Sequence, residues 1–562
     1  MASKIQRAKE RARYVIMARL RQYITLTTSI LVAAILVALL VVAPSVDFAF
    51  KSYLTSRNWM YALLVVLCIG LYAFVGTGRL AGAKADANYA GGQVADRFWH
   101  VKSRDVLILV ALSILLFVLQ LIIIHFGWFV SGWDVGNITD IEHVNMYENY
   151  YAQYPNNLLI GGILVRLHVI ATALGITPYV LFCAGGALCV TVSIFEISLI
   201  AYKYWGLAFS LVVFGVSAVL LGLHPYILVP YSDAYAGVCV TTMLCVATYT
   251  KHPFVSVVVW ALVAPVAYSL KPTTVFMAAA VGASLVYALY KISDHGDVFG
   301  LLKGGKKIKA FALNVSLAIV LALFSGMAGT AVSAHMKDFG LKPNVDRYAL
   351  PVSSWFMMGL NEEMYGSYNG ADVMYLWNYD TKDEKDTQAR ERIHERLSDL
   401  GASGVAALYG KKVLSAWGSG AFGWEPPGAY KEIREDVHPA LSWWYGYDSA
   451  NYTIANHKNN VFEVPYQFIW IALLIGIAGI GVSSVMFLIL RKKSSPQHEI
   501  IFEKPLAISS FSLVCLTVFL MLFETNSRQM YLYGPEIVLL GCWGLLMTKH
   551  SIDVMFEQSS EN

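Results

Sequence analysis

Apolar residues fall in long unbroken runs along this chain, with polar residues gathered in the gaps between them. The runs cover roughly 23–43, 59–77, 105–126, 156–176, 178–201, 206–222, 234–250, 254–270, 272–290, 311–331, 466–490, 505–523 and 530–548. Most approach the ~20 residues that a helix needs to cross a bilayer. Short alternating strands, the mark of a membrane β-barrel, are missing. The pattern predicts an all-α polytopic membrane protein.

One gap, 332–465, is too long for a structureless connection and predicts a small domain of its own. Inside it, "DEKDTQARERIHERLSDL" predicts an amphipathic helix over about 383–398, with Asp380 or Thr381 as its N-cap. A Gly/Pro/aromatic loop, "WGSGAFGWEPPGAY", follows.

Positive charge orients the spans. The basic N-terminus, the 79–104 segment (Arg79, Lys84, Arg97, Lys102, Arg104), "KGGKKIK" at 303–309 and "RKK" at 491–493 all belong on the cytoplasmic side. If every run crossed, the last two clusters would fall opposite the first two. One run before residue 303 therefore does not cross. Run 156–176 carries Arg166 and His168 at mid-run, which is costly in lipid, so it is expected as an interfacial helix on the outer surface. About 12 transmembrane helices remain, with both termini cytoplasmic. The basic start lacks a small-residue cleavage pattern, so the first span is expected to be retained.

The resulting organisation is a two-span extension (1–104) and a membrane core (105–331), the core holding a first outer loop (127–155) and the interfacial helix (156–176). An extracytoplasmic domain (332–465) follows, then C-terminal spans with a short cytoplasmic tail (466–562).

Composition agrees with this picture. Of 562 residues, 57% are hydrophobic and only 14% charged, against about a quarter charged in ordinary soluble domains. All seven cysteines lie in apolar runs, so neither a disulfide framework nor a cysteine metal site is expected. P-loop, HExxH and GxSxG patterns are absent. No basic patch interleaved with aromatics suggests nucleic acid. Glu196 is the acid placed within a span, whereas an ion-coupled transporter is expected to carry more.

The polar gaps on the outer side hold the candidate chemistry. "SGWDVGNITDIEHVNMYENYYAQYPNN" (131–157) sets Asp134, Asp140, Glu142 and Glu148 among tyrosines at a membrane edge. A carboxylate there could be a general base toward a hydroxyl, or simply a solvated loop acid. In "HPYILVPYSDAYAG" (224–237), Asp233 could be an N-cap, a site acid, or both. Lys271, in "YSLKPTTVFM", either snorkels to lipid or binds one specific phosphate. Arg528, beside Glu524 in "FETNSRQMYLYGPE", can bind phosphate bidentately, and Arg166 is a third cation on that side. The many aromatics of 332–465, such as Trp355 and Tyr368, suit core, membrane belt or sugar faces alike.

Taken in order, these segments resemble the GT-C glycosyltransferases of the protein O-mannosyltransferase and aminoarabinose-transferase type, in their bacterial cell-surface form. The carrying residues are "GWDVGNITD" (132–140), "YYAQYPNNLLIGGIL" (150–164), "YSDAYA" (231–236), "LKPT" (270–273), "WFMMGLNEEMYGSYNGAD" (355–372), "WGSGAFGW" (417–424) and "NSRQMYLYGPEIVLL" (526–540). The resemblance implies a GT-C fold and a polyprenyl-phosphate-sugar donor. The acceptor would be a hydroxyl of a cell-envelope glycan, glycolipid or protein.

It maps the first-loop catalytic acid onto Asp134, with Asp140 second, and the phosphate-binding cations onto Lys271 and Arg528. From their place on the outer side, Asp140, Glu142 and Asp233 are expected as supporting acids, Arg166 as a further lipid-phosphate ligand, and His224, Tyr231, Tyr150 and Tyr154 as substrate-lining residues. Where many relatives carry adjacent acids, Asp134 is followed by Val135. No cofactor is required by this reading, although the outer acids leave a divalent metal open. The rival expectation is a transporter or flippase of lipid-linked sugars.

Overall fold

The computed structural model describes residues 20–38, 102–249, 253–292, 307–424, 430–432, 437–445, 447–448, 453–454, 461–490 and 503–560. The run at 59–77 and most of the basic clusters used for orientation lie outside these residues.

Long helices dominate: α1 (Leu20–Ala38), α2 (Ser103–Gly127), α3 (Leu158–Leu174), α4 (Pro178–Ser217), α5 (Ser232–Tyr249), α6 (Pro253–Leu270), α7 (Val275–Ile292), α8 (Lys307–Ala334), α9 (Lys382–Trp417), α10 (Glu463–Leu490), α11 (Lys504–Leu522) and α12 (Gly534–Ser560). Each apolar run within the described residues forms a helix. Seven helices among these residues are long and apolar enough to cross a membrane.

The runs at 178–201 and 206–222 lie in the stretch Pro178–Gly222, whose two helical arms are joined at Gly206. It is not straight. Gly206 sits at φ 77°, which glycine adopts without penalty. Ser210 Oγ donates to the Ser198 carbonyl at 2.7 Å, whereas an unbroken helix would hold those residues about 18 Å apart. The two arms therefore fold back on each other.

Helix α3 has the length and apolarity of a span, but its contacts tie both its ends to one end of the bundle. Before its start, Asn157 Nδ2 donates to the Tyr150 hydroxyl at 2.6 Å, in the loop that follows Asp134. After its end, Gly175 (φ 65°) turns the chain into α4. There Tyr179 stacks on Trp128 and its hydroxyl accepts from the Ser131 amide at 3.3 Å. A 17-residue helix is about 25 Å long, and the residues flanking both of its ends make these contacts.

The 332–465 segment packs on the same end. Part of it has a small core of its own: Leu350, Met357, Met358, Val373, Leu376 and Ala389. The rest joins the main core through Trp417, Phe422, Trp424, Tyr445 and Phe462. The boundary drawn at 332–465 therefore does not separate two cores. Thr381 caps α9 with a full capping box to Glu384. The helix runs on past 398 to Trp417, bending at Gly401. Two antiparallel strand pairs are small: Val130–Ser131 (β1) with Tyr430–Glu432 (β2), and Tyr447–Asp448 (β3) with Thr453–Ile454 (β4).

Candidate functional site

Three loops far apart in sequence meet at this end of the bundle. Gly132 leads into Trp133, which sits at φ 44°. That conformation is uncommon for a bulky residue and stores strain. It lays the indole over the Arg528 guanidinium at 4.1 Å and edge-on to Tyr231 at 4.9 Å. Asp134, next in the chain, stays half-buried. Its Oδ2 accepts from the Tyr231 hydroxyl at 2.9 Å. The Tyr150 hydroxyl lies within reach of the Asp134 charge and accepts from Asn157. Burial, reinforced by the Asp134 charge, pushes both phenols up, so both stay protonated beside the carboxylate.

Asp233 opens α5 and is buried. Its carboxylate holds two cations. Lys271 Nζ lies 3.0 Å from Oδ1 and 3.2 Å from Oδ2, and Arg528 Nε lies 3.5 Å from Oδ2. Both cations also face the Tyr231 ring, at 5.2 and 4.9 Å. Burial pulls the Lys271 ammonium down from its ordinary range, and Asp233 opposes that pull. Asp233 therefore compensates two like charges that would otherwise repel in a dry site.

A second carboxylate faces the cluster. Glu524 lies in the loop after α11, within electrostatic reach of Arg528, Lys271, Asp134 and Lys412, and burial raises its pKa. Lys412 clamps this loop from α9, donating to the Phe523 and Gly359 carbonyls at 2.7 Å each. Across from it, the Tyr154 and Tyr368 hydroxyls meet at 3.2 Å, and Trp355 packs 5.9 Å from Tyr154. Both phenols feel the charges of Asp134 and Glu524.

Asp134, Tyr150, Tyr231, Asp233, Lys271 and Arg528 thus come together, with Tyr154 at the margin. Other expected site residues fall elsewhere. Asp140 is occupied locally by His143 (2.9 Å) and Tyr147 (2.8 Å), and Glu142 is exposed. Arg166, expected as a phosphate ligand, is tethered to the Val332 carbonyl at 2.9 Å and the Gly162 carbonyl at 3.3 Å. Its guanidinium ties α3 to α8 and does not join the Asp233 cluster.

His224, expected to line substrate, is fully buried among Tyr226, Phe422, Trp424, Phe462, Tyr466 and Tyr531. Its Nδ1 accepts from the Tyr226 amide, leaving Nε2 to donate to the Ala421 carbonyl. Burial depresses its pKa to about 3. It is a neutral core staple.

Sequence reasoning missed several contributors. Trp133 stands beside Asp134, but nothing in the sequence marks its strained backbone or its seat on Arg528. Tyr368 and Lys412 come from the distant 332–465 segment. Glu536, near the start of α12, is fully buried with neither carboxylate oxygen hydrogen-bonded. Glu196 is bonded by the Thr241 and Thr242 hydroxyls at 2.6 and 2.7 Å. No cluster of three or more His, Cys, Asp or Glu able to hold a metal occurs among the described residues.

A family model described as "conserved hypothetical integral membrane protein" matches residues 87–549. No curated protein matches the chain. Among solved structures, ArnT from Cupriavidus metallidurans, bound to undecaprenyl phosphate, is similar at 12% identity over 78% of this chain and 77% of that chain, with a TM-score of 0.27. That superposition is too loose to transfer any property. The family match covers most of the chain, and the protein belongs to this family of integral membrane proteins.

Proposed function

We propose that this family member is a membrane glycosyltransferase. It moves a sugar from a polyprenyl-phosphate-linked donor to a hydroxyl of a cell-envelope polysaccharide, glycolipid or protein. One observation carries the reading: Lys271 and Arg528 are held together in a buried site around the single carboxylate of Asp233, beside a half-open Asp134. The two cations outnumber the one carboxylate that pairs with them, although Asp134 and Glu524 add negative charge nearby. A lipid phosphate can pair with those cations, and a dry site strengthens the attraction. The ordered sequence motifs that resemble GT-C enzymes point the same way.

In the proposed reaction, Asp134 accepts the acceptor's hydroxyl proton as that oxygen bonds to the anomeric carbon. The bond from that carbon to the phosphate oxygen breaks, and its electron pair leaves with the lipid phosphate. Lys271 and Arg528 stabilise the growing charge. The carbon passes through an oxocarbenium-like state, and a single displacement inverts it. Tyr231 aims the carboxylate without consuming its proton capacity. The proposal includes the outer-face location of this site, about twelve spans, cytoplasmic termini and an interfacial α3. The contacts that tie both ends of α3 to the site end support the last of these.

A second reading, a transporter or flippase of lipid-linked sugars, is favoured by the buried Glu536 and the half-buried Glu196 within the bundle. Incubating the purified protein in vesicles with labelled polyprenyl-phosphate-sugar and cell-envelope acceptor separates the two. A transferase makes a new glycosidic bond. Movement of label across the membrane with no new bond would favour the flippase.

A further inference from the structure

Glu524 is a half-buried carboxylate on which no hydrogen bond or ion pair closes among the described residues. Its loop is nonetheless held firmly. Gly359 presses so close that a Cβ there would come within 2.6 Å of the Leu522 carbonyl oxygen and 2.8 Å of Phe523 carbon. The Thr525 amide donates to the Gly366 carbonyl at 2.8 Å. Lys412 takes the Phe523 carbonyl, and Gly423 abuts Ser527. A rigid backbone thus carries an acceptor group with unused lone pairs.

That group lies within electrostatic reach of Asp134, the cations and the Tyr154–Tyr368 phenols, and the Thr525–Gly366 hydrogen bond sets its loop beside the segment that carries Tyr368. Tyr368 is 45% exposed, so this side is open. Trp355 backs the phenols through Tyr154. A rigid carboxylate that accepts, two hydroxyls that donate or accept, and aromatic faces form the chemistry that holds a polyhydroxylated ring.

We propose that Glu524, with Tyr154 and Tyr368, forms a sugar subsite near Asp134 that holds the hydroxyls of the transferred group. The inference rests on the lipid-linked donor reading and assigns the donor's two halves to two walls. Phosphate goes to Lys271 and Arg528, and the ring to Glu524 and the phenols. The anomeric carbon, which joins the halves, then lies beside Asp134.

The test compares binding of bare polyprenyl phosphate with a panel of polyprenyl-phosphate pentoses and hexoses. Full-length protein in nanodiscs is used as wild type, Glu524→Gln and Tyr368→Phe. The exposed Tyr368 site guards against loss of fold. At least one sugar lipid should bind wild type roughly 10-fold more tightly than bare lipid, the scale of a hydrogen bond to a charged group. Taken as the ratio of sugar-lipid to bare-lipid affinity within each variant, the gain should be erased in Glu524→Gln and reduced in Tyr368→Phe.

A gain that survives both substitutions overturns the subsite. So does an absence of any gain in wild type while bare lipid still binds. If wild type binds neither lipid, the donor reading itself fails and takes the subsite with it.

Discussion

Lys271 engages both oxygens of Asp233, at 3.0 and 3.2 Å, at the point where α6 ends and α5 begins. The same carboxylate also faces Arg528 from the last loop. Asp233 is thus the pivot of three chain segments, and its loss leaves two cations side by side. Asp233→Asn should destabilise the protein by about 3–5 kcal/mol, as for other broken buried ion pairs. Thermal melts in detergent read this directly. A melting temperature equal to wild type would mean that the cluster does not hold the fold.

Tyr231 donates to Asp134 at 2.9 Å. Tyr231→Phe removes that hydroxyl and leaves the ring over which Lys271 and Arg528 sit. Transfer should slow by roughly 10-fold or more, since a hydrogen bond to a charged group contributes about 1.5–3 kcal/mol. Donor affinity should change little. Steady-state kinetics separate the two, and a change confined to KM would contradict an aiming role.

Lys412 gives a pH signature. Burial, partly opposed by Glu524, lowers its pKa to about 7, below the unfolded value of about 10.4. Between these values the unfolded chain binds more protons than the folded one. Its contribution to stability therefore rises with pH from about 7 upward and is smallest below that value. Melting temperature followed from pH 7 to 9 should climb less steeply in Lys412→Met than in wild type. Parallel slopes would show that the amine is charged throughout.

Gly359 lets the 332–465 segment lie against the Glu524 loop. Gly359→Ala puts a methyl 2.6 Å from the Leu522 carbonyl oxygen, and such overpacking costs about 1–3 kcal/mol. Both stability and transfer should fall, because the displaced loop carries Glu524 and Arg528. Unchanged transfer in this variant would show that the loop's position does not matter to the reaction.

The helices were legible because a spanning run needs a continuous apolar stretch, and each described run became a helix. The α9 cap was legible too: Thr381 followed by Glu384 spells its own capping box. Its second half was not, since Gly401 breaks the polar pattern and the residues beyond it are apolar. Charge parity gave the expectation that run 156–176 does not cross, and its place relative to the membrane stays part of the proposal.

Loop acids and cations could be named, but not sorted. Whether Arg166 reaches a ligand or a neighbouring carbonyl depends on how closely α8 passes Gly162, and no local pattern encodes that. His224 carries the same lesson, since its aromatic enclosure comes from residues roughly 200 or more positions away. Asp134, Asp233, Lys271 and Arg528 meet only through long-range packing, so their number and type could be read, but not their pairing.

Turnover of purified Asp134→Asn with labelled polyprenyl-phosphate-sugar and cell-envelope acceptor tests the central claim most directly. The substitution keeps shape and removes basicity, so lipid binding and melting temperature should stay near wild type. Transfer should fall by about 10²–10⁴-fold, the usual contribution of a positioned base. Wild-type turnover in a correctly folded Asp134→Asn protein would contradict the assignment of Asp134 as the base.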